Sequence, residues 1–295
     1  MILVVGATGQ LGGEIAQRLL QRGDAVRMLV RPGSNYQPLA ALGAEPVFGD
    51  LKDSASLGPA LDGVDTVVTT ANSAQRLPPD TIEAVDLHGN ASLVDAARAA
   101  GVGQFVFISA LGADPISPSP FLQAKARTEE RLRAGGMPYT ILEPTIYMEV
   151  WAPMIVGQAV AQQRPVILVA GGQRHHSWVS RSDVAALTLA TIGNPRALDQ
   201  TILVGGPEPL SWRDIIATYE RVLGRTIPVE SVTLGEPVPG LPRPIVELLS
   251  ALETFDAPLD MRETQAAYDL PLTSLESVVR RMANAPEVDA TPGRG

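Results

Sequence analysis

The 295-residue sequence contains no cysteine, which removes disulfides, thiolate metal sites and cysteine nucleophiles together and makes a reducing compartment, the cytoplasm, the expected setting. It has no apolar run near the about 20 residues that a membrane-crossing helix needs. Met1-Ile2-Leu3-Val4-Val5 is apolar but runs straight into glycines, with neither the basic flank nor the cleavage site of a secretory signal, and reads as a strand. An excess of basic residues is also missing. The formal net charge of −9 argues against wide contact with a phosphate backbone, so a soluble protein partnered by neither nucleic acid nor membrane is expected. A local basic patch for one small anion remains compatible with that charge. No internal repeat is found.

What is present is alternation. Mostly apolar runs at 2–5, 25–30, 45–48, 66–69, 104–108 and 139–142 lack strict polar interruption, as parallel strands covered on both faces do. Helical patterns separate them. Leu11, Ile15 and Leu19 recur at helical spacing before Gly23, and a longer helix is predicted over 80–100, with Val85, Leu93 and Ala97 inward and Gly101 as its stop. Beyond Trp151 the pattern loosens into strands at 166–169 and 201–204 and helices at 183–192, from Ser211 to Leu223-Gly224, at 245–252 and at 274–282. The expected fold class is α/β, a doubly wound parallel Rossmann sheet with a smaller mixed C-terminal substrate lobe. The expected domains are 1–150 for nucleotide and 151–285 for substrate, with some elements of the latter returning to the sheet, and 286–295 as a flexible tail.

Gly6-Ala7-Thr8-Gly9-Gln10-Leu11-Gly12 directly follows the first strand and opens a helix, the context in which glycines bind a diphosphate. One glycine permits a tight turn, another lets pyrophosphate approach the backbone, and the helix start offers unpaired N–H groups and a positive dipole. Gly6, Thr8, Gly9, Gln10, Leu11 and Gly12 are therefore assigned to a nicotinamide dinucleotide. A flavodoxin-like turn shaped by the same glycines is the rival reading. NAD enzymes of this architecture place a carboxylate near the end of the second strand; here that strand ends in Arg31, and a guanidinium pairs well with a 2′-phosphate. NADP(H) is accordingly preferred over NAD(H), unless Arg31 is simply a solvated charge. Asp50 after the third strand either accepts from the adenine amino group or caps a turn. Leu51, Thr70 and Pro144, at strand ends like Asp50, are placed with the cofactor.

Together, Val5-Gly6-Ala7-Thr8-Gly9-Gln10-Leu11-Gly12, Gly49-Asp50, Phe107-Ile108-Ser109-Ala110, and Lys125 ahead of Pro138-Tyr139-Thr140-Ile141-Leu142-Glu143-Pro144 resemble the NmrA-like atypical short-chain dehydrogenase/reductases. The resemblance spans about the first 225 residues. It implies a Rossmann fold and a nicotinamide cofactor; members include NADPH-dependent quinone and triphenylmethane-dye reductases, isoflavone-reductase-like enzymes, and dinucleotide-binding regulators without known turnover. In the wider short-chain family a serine after the fifth strand and a Tyr-x-x-x-Lys pair carry the proton chemistry. Ser109 matches the serine and Lys125 the lysine, but the tyrosine position holds Phe121, which has no acidic hydroxyl. Phe121 and Lys125 share a helix face. Lys125 then positions the nicotinamide ribose, lowers a neighbouring pKa or acts as the acid, if it is not a solvated helix lysine.

Hydride delivery to a simple ketone demands an early proton, whereas a quinone yields a phenolate of pKa about 10 that water or a lysine can protonate. The expected function is an NADPH-dependent reductase of a quinone-like or conjugated small molecule, working without a catalytic tyrosine from Ser109 and Lys125. Phe121, Tyr147 and Met148 are expected to line its substrate pocket. Trp151 and Trp178 are further candidates or ordinary packed aromatics. His175-His176 reads as a solvated loop and no metal site is expected; Ser182-Asp183-Val184 reads as a helix start. Two other functions stay open, a sensor that binds NADP(H) without turnover and a sugar-nucleotide epimerase or dehydratase, and the sequence leaves self-association undecided.

Overall fold

A computed structural model describes residues 1–284 apart from Gln75 and Leu77; the expected tail at 286–295 lies outside the described residues. The strands in chain order are β1 (Ile2–Val5), β2 (Val26–Val30), β3 (Glu45–Phe48), β4 (Thr66–Thr69), β5 (Gln104–Ile108), β6 (Tyr139–Pro144), β7 (Ile146–Tyr147), β8 (Val166–Val169), β9 (His176–Val179), β10 (Gln200–Val204), β11 (Pro209–Leu210) and β12 (Val229–Val232). Seven of them form one sheet in the order β10-β6-β5-β4-β1-β2-β3, and every neighbouring pair from β3 to β6 is parallel. β1 lies between β2 and β4, so the winding reverses there. At such a switch point, open α/β sheets bind ligands outside the strand carboxyl ends.

Two compact units result. The first comprises residues 1–144 and 184–203. Its β1 shows why a doubly covered strand reads as unbroken apolar sequence: successive side chains point to opposite faces, and each face has its own layer. Ile2 and Val4 pack with Ile15 and Leu19 of α1 (Gln10–Arg22) and with Met28. Leu3 and Val5 pack with Phe105 and with Leu93 and Ala97 of α2 (Asn90–Ala99). α1 ends at Gly23, whose φ of +89° is the left-handed cap conformation. The helix expected over 80–100 begins with wide turns over Ile82–Gly89 before α2. Buried Asn90 accompanies that widening, since its amide donates to the carbonyls of Val85 (3.4 Å) and Asp86 (3.3 Å). α3 (Pro120–Ala134) is capped by the Ser119 hydroxyl and precedes β6.

The second unit comprises residues 145–183 and 204–284 among those described. It carries the small sheet β11-β9-β7 and the parallel pair β12-β8. Trp178 and Trp212 meet edge to face at 4.8 Å in its core, and Trp178 Nε1 donates to the Leu210 carbonyl at 2.8 Å. Trp178 is thus a packed aromatic, satisfied at its polar tip. The Ser182-Asp183 stretch opens the helix α4 (Arg181–Thr191), but Asp183 does more than face a dipole. Buried, it accepts from the Thr273 hydroxyl at 2.6 Å and the Thr273 N–H at 2.7 Å. Asp183→Ala, which strands both donors, is expected to cost about 3 kcal/mol in urea denaturation; a loss below about 1 kcal/mol would show that water replaces the carboxylate there.

Candidate functional site

The turn after β1 is built for a backbone that something must approach closely. Gly6 has φ +88°, and a Cβ there would meet Thr70 Oγ1 at 2.6 Å. A Cβ on Gly12 would collide with the carbonyl oxygen of Gly6 and lie 2.7 Å from Thr70 Oγ1. Three separated sequence positions therefore share one tight spot at the carboxyl ends of β1 and β4, the switch-point strands. α1 starts at Gly9 without a side-chain cap and without an acidic residue in its first turn. The start of an α-helix carries N–H groups and a positive dipole that favour an anion. The residues present fit a dinucleotide diphosphate.

At the tip of β2, Arg31 is less alone than its sequence neighbours suggest. Its Nη1 donates to Asp80 Oδ2 at 2.6 Å, Lys52 Nζ donates to Asp80 Oδ1, and Arg76 Nη1 reaches Asp80 Oδ2 at 3.3 Å. Burial pushes the Asp80 carboxyl up, but hydrogen bonds and charge from Lys52 and Arg31 outweigh it and hold the group at about 2. Asp50 accepts from the Lys52 N–H at 2.9 Å and pairs with Lys52 Nζ at 3.1 Å, the geometry of a turn cap. Leu51 buries its side chain in the core layer that holds Leu3 and Val5, which leaves only its backbone for a ligand. Thr70 lies against the glycine turn, and the Pro144 carbonyl accepts from the Leu111 N–H at 3.0 Å.

Lys125 is not a solvated lysine. It is 2% exposed, and its Nζ donates to the Ile108 carbonyl at 2.8 Å between the rings of Phe107 (4.8 Å) and Phe121 (5.4 Å). Burial drives its ammonium down to about 8, against the opposing charges of Asp86 and Glu129. Glu129 continues the face of α3 that carries Phe121 and Lys125; it accepts a short hydrogen bond from the Ser109 hydroxyl and pairs with Arg133 at 3.0 Å. Asp86, on the wide turns before α2, takes the Ser73 N–H (2.9 Å) and hydroxyl (2.5 Å) on Oδ2. Its buried Oδ1 has no hydrogen-bond partner among the described residues. Burial and then the charge of Glu129 raise half-buried Glu143 to about 7. Glu129, Asp86 and Glu143 were not singled out in the sequence, although i, i+4, i+8 spacing from Phe121 marks Glu129.

The second unit holds the other expected residues. Met148 is wholly buried in its core, so it is a packing residue rather than the lining of an open pocket. The Tyr147 hydroxyl is buried without a partner among the described residues, and burial and then the charge of Glu149 push its phenol up. Trp151 packs, partly exposed, on the same core. The two histidines part company. His175 is half exposed, 3.4 Å from Asp214. His176 is not in a solvated loop but buried in β9, with Nε2 2.8 Å from the Leu252 carbonyl and its ring edge-on to Phe255. No group of three or more metal-ligating side chains forms among the described residues.

A profile of the NmrA-like family matches residues 1–278. The chain belongs to that family. An NAD(P)H azoreductase of Xenophilus azovorans is 28% identical to this NmrA-like chain, over 88% of each. A photosystem II assembly factor of Cyanophora paradoxa is 30% identical over 79% of this chain and 72% of its own. The crystal structure of a Citrobacter sp. triphenylmethane reductase complexed with NADP(H) superposes with a TM-score of 0.79, covering 95% of this chain and 99% of that one at 24% identity. That likeness establishes the shared α/β fold. No helix among the described residues is long and apolar enough to cross a membrane.

Proposed function

We propose that this protein is an NAD(P)H-dependent reductase that prefers NADP(H) and reduces a quinone-like or conjugated small molecule. The observation that carries the coenzyme reading is the mutual crowding of Gly6, Gly12 and Thr70 beneath an uncapped helix start, beside the basic cluster at Arg31. The azoreductase relative supports the reaction class. The backbone of Gly9, Gln10 and Leu11 would hold the diphosphate, Arg31 with Lys52 and Arg76 the 2′-phosphate, and the Lys125 region the nicotinamide end. A bound nicotinamide supplies hydride.

The chain's own residues limit which acceptor benefits. Phe121 offers no hydroxyl, and the Ser109 proton is engaged by Glu129. Lys125 at about 8 and Glu143 at about 7 both exchange protons near neutrality. An acceptor that leaves as a phenolate, with a pKa of about 10, takes a proton readily from either group or from water. A strongly electrophilic acceptor also asks more of orientation than of acid catalysis. Steady-state assays with NADPH and a panel of quinones, enones and cationic dyes are expected to show acceptor-dependent NADPH consumption, with quinones ahead of simple ketones. Binding of coenzyme with no acceptor turned over would instead favour a sensor. Phe121 and the assembly-factor relative lend that second reading its support.

A further inference from the structure

Asp80 is 49 positions from Arg31 along the chain, yet its carboxylate sits at the tip of β2. That is where enzymes of this architecture keep the acceptor that holds the ribose hydroxyls of NAD(H). The sequence puts a guanidinium in that place, and tertiary folding returns a carboxylate to it. The same carboxylate is the hydrogen-bond acceptor for Arg31, Lys52 and Arg76, the cations a 2′-phosphate would use. With Asp50 also on Lys52, the cluster keeps one net positive charge where Asp80 alone separates it from two.

Granting the coenzyme site proposed above, we infer that Asp80 is a specificity-determining residue. It occupies donors that a 2′-phosphate needs and offers an acceptor that a ribose diol needs, so the preference for NADP(H) stays shallow and NAD(H) remains usable. A carboxylate that merely fastened the segment after β4 would act on both coenzymes alike. One that competes with the 2′-phosphate changes their ratio. Charge-assisted hydrogen bonds of this kind are stronger than neutral ones, so releasing them to the phosphate shifts an affinity by about tenfold or more.

The test is a calorimetric titration of wild-type protein, Asp80→Asn and Asp80→Ala with NADPH, NADH, adenosine 2′,5′-bisphosphate and 5′-AMP. Wild type is expected to favour NADPH over NADH by less than about a hundredfold, and Asp80→Asn to multiply that ratio by about tenfold. Adenosine 2′,5′-bisphosphate should gain affinity with NADPH while 5′-AMP does not. A ratio that changes by less than about fivefold in a folded variant, or a wild-type preference beyond about a hundredfold, overturns the role of Asp80. If neither variant folds, the wild-type ratio decides. Wild-type protein that binds none of the four ligands defeats the coenzyme site itself, a failure distinct from an unchanged ratio between two coenzymes that do bind.

Discussion

Gly12→Ala is expected to lower the affinity for NADPH at least about 100-fold, close to 2.7 kcal/mol, along with a stability loss of about 1–3 kcal/mol. The added methyl would overlap the Gly6 carbonyl oxygen and crowd Thr70 Oγ1 at 2.7 Å. Both neighbours are parts of the proposed diphosphate seat, one being backbone, so relief requires α1 to draw back from the turn. Overpacking of this kind costs about 1–3 kcal/mol where the structure can shift. The shift itself misplaces the N–H groups at the helix start on which an anion depends. Gly23→Ala is the matched control: its φ of +89° makes alanine strained, but beyond its immediate chain neighbours the added carbon meets nothing within 4 Å among the described residues. It is expected to lose about 1 kcal/mol of stability and to bind NADPH as wild type does. Fluorescence titration and thermal melts of both variants separate the two effects. If Gly12→Ala bound NADPH within about fivefold of wild type, the turn would not be where the diphosphate rests.

The sheet was legible because its strands are short apolar runs bounded by glycines and caps, and because Leu11, Ile15 and Leu19 fall on one helical stripe. Those are local signals. β9 was not legible: His-Ser-Trp-Val carries no apolar run, and its burial comes from Trp178 and His176 each finding a carbonyl, in Leu210 and Leu252. The glycine turn could be read, since its partners are neighbours in sequence. The setting of Arg31 could not. Asp80, Lys52 and Arg76 reach that arginine only through the parallel pairing of β2 with β3 and the return of the segment after β4, so the residues around it in sequence do not separate a phosphate ligand from a solvated charge. In the same way Lys125 was recognisable by position, but its burial depends on Phe107 of a different element, and no spacing within α3 announces that.

Burial makes Lys125 the residue where activity and stability should pull apart. Holding an ammonium in an apolar site lowers its pKa from 10.5 to about 8, which costs the fold about 3 kcal/mol wherever both states would carry the proton. Methionine fills a similar volume without charge. Lys125→Met is therefore expected to melt higher than wild type at pH 7, by about 2 kcal/mol once the lost hydrogen bond to the Ile108 carbonyl is counted. The sign follows from proton binding: between pH 8 and 10.5 the unfolded chain holds this proton more tightly than the folded one. Wild type gains stability as pH rises through that window, and the advantage of methionine shrinks. Turnover should move the other way, falling by about 10²-fold if Nζ delivers the proton. The wild-type rate should then decline as pH rises through about 8, where Nζ loses its proton, and that limb should be absent from Lys125→Met. A limb near pH 7 that survives in Lys125→Met and vanishes in Glu143→Gln would transfer the role to Glu143. A variant that keeps full turnover, or whose stability difference from wild type is the same at pH 7 and pH 10, would show that the lysine is neither a proton donor nor a strained charge.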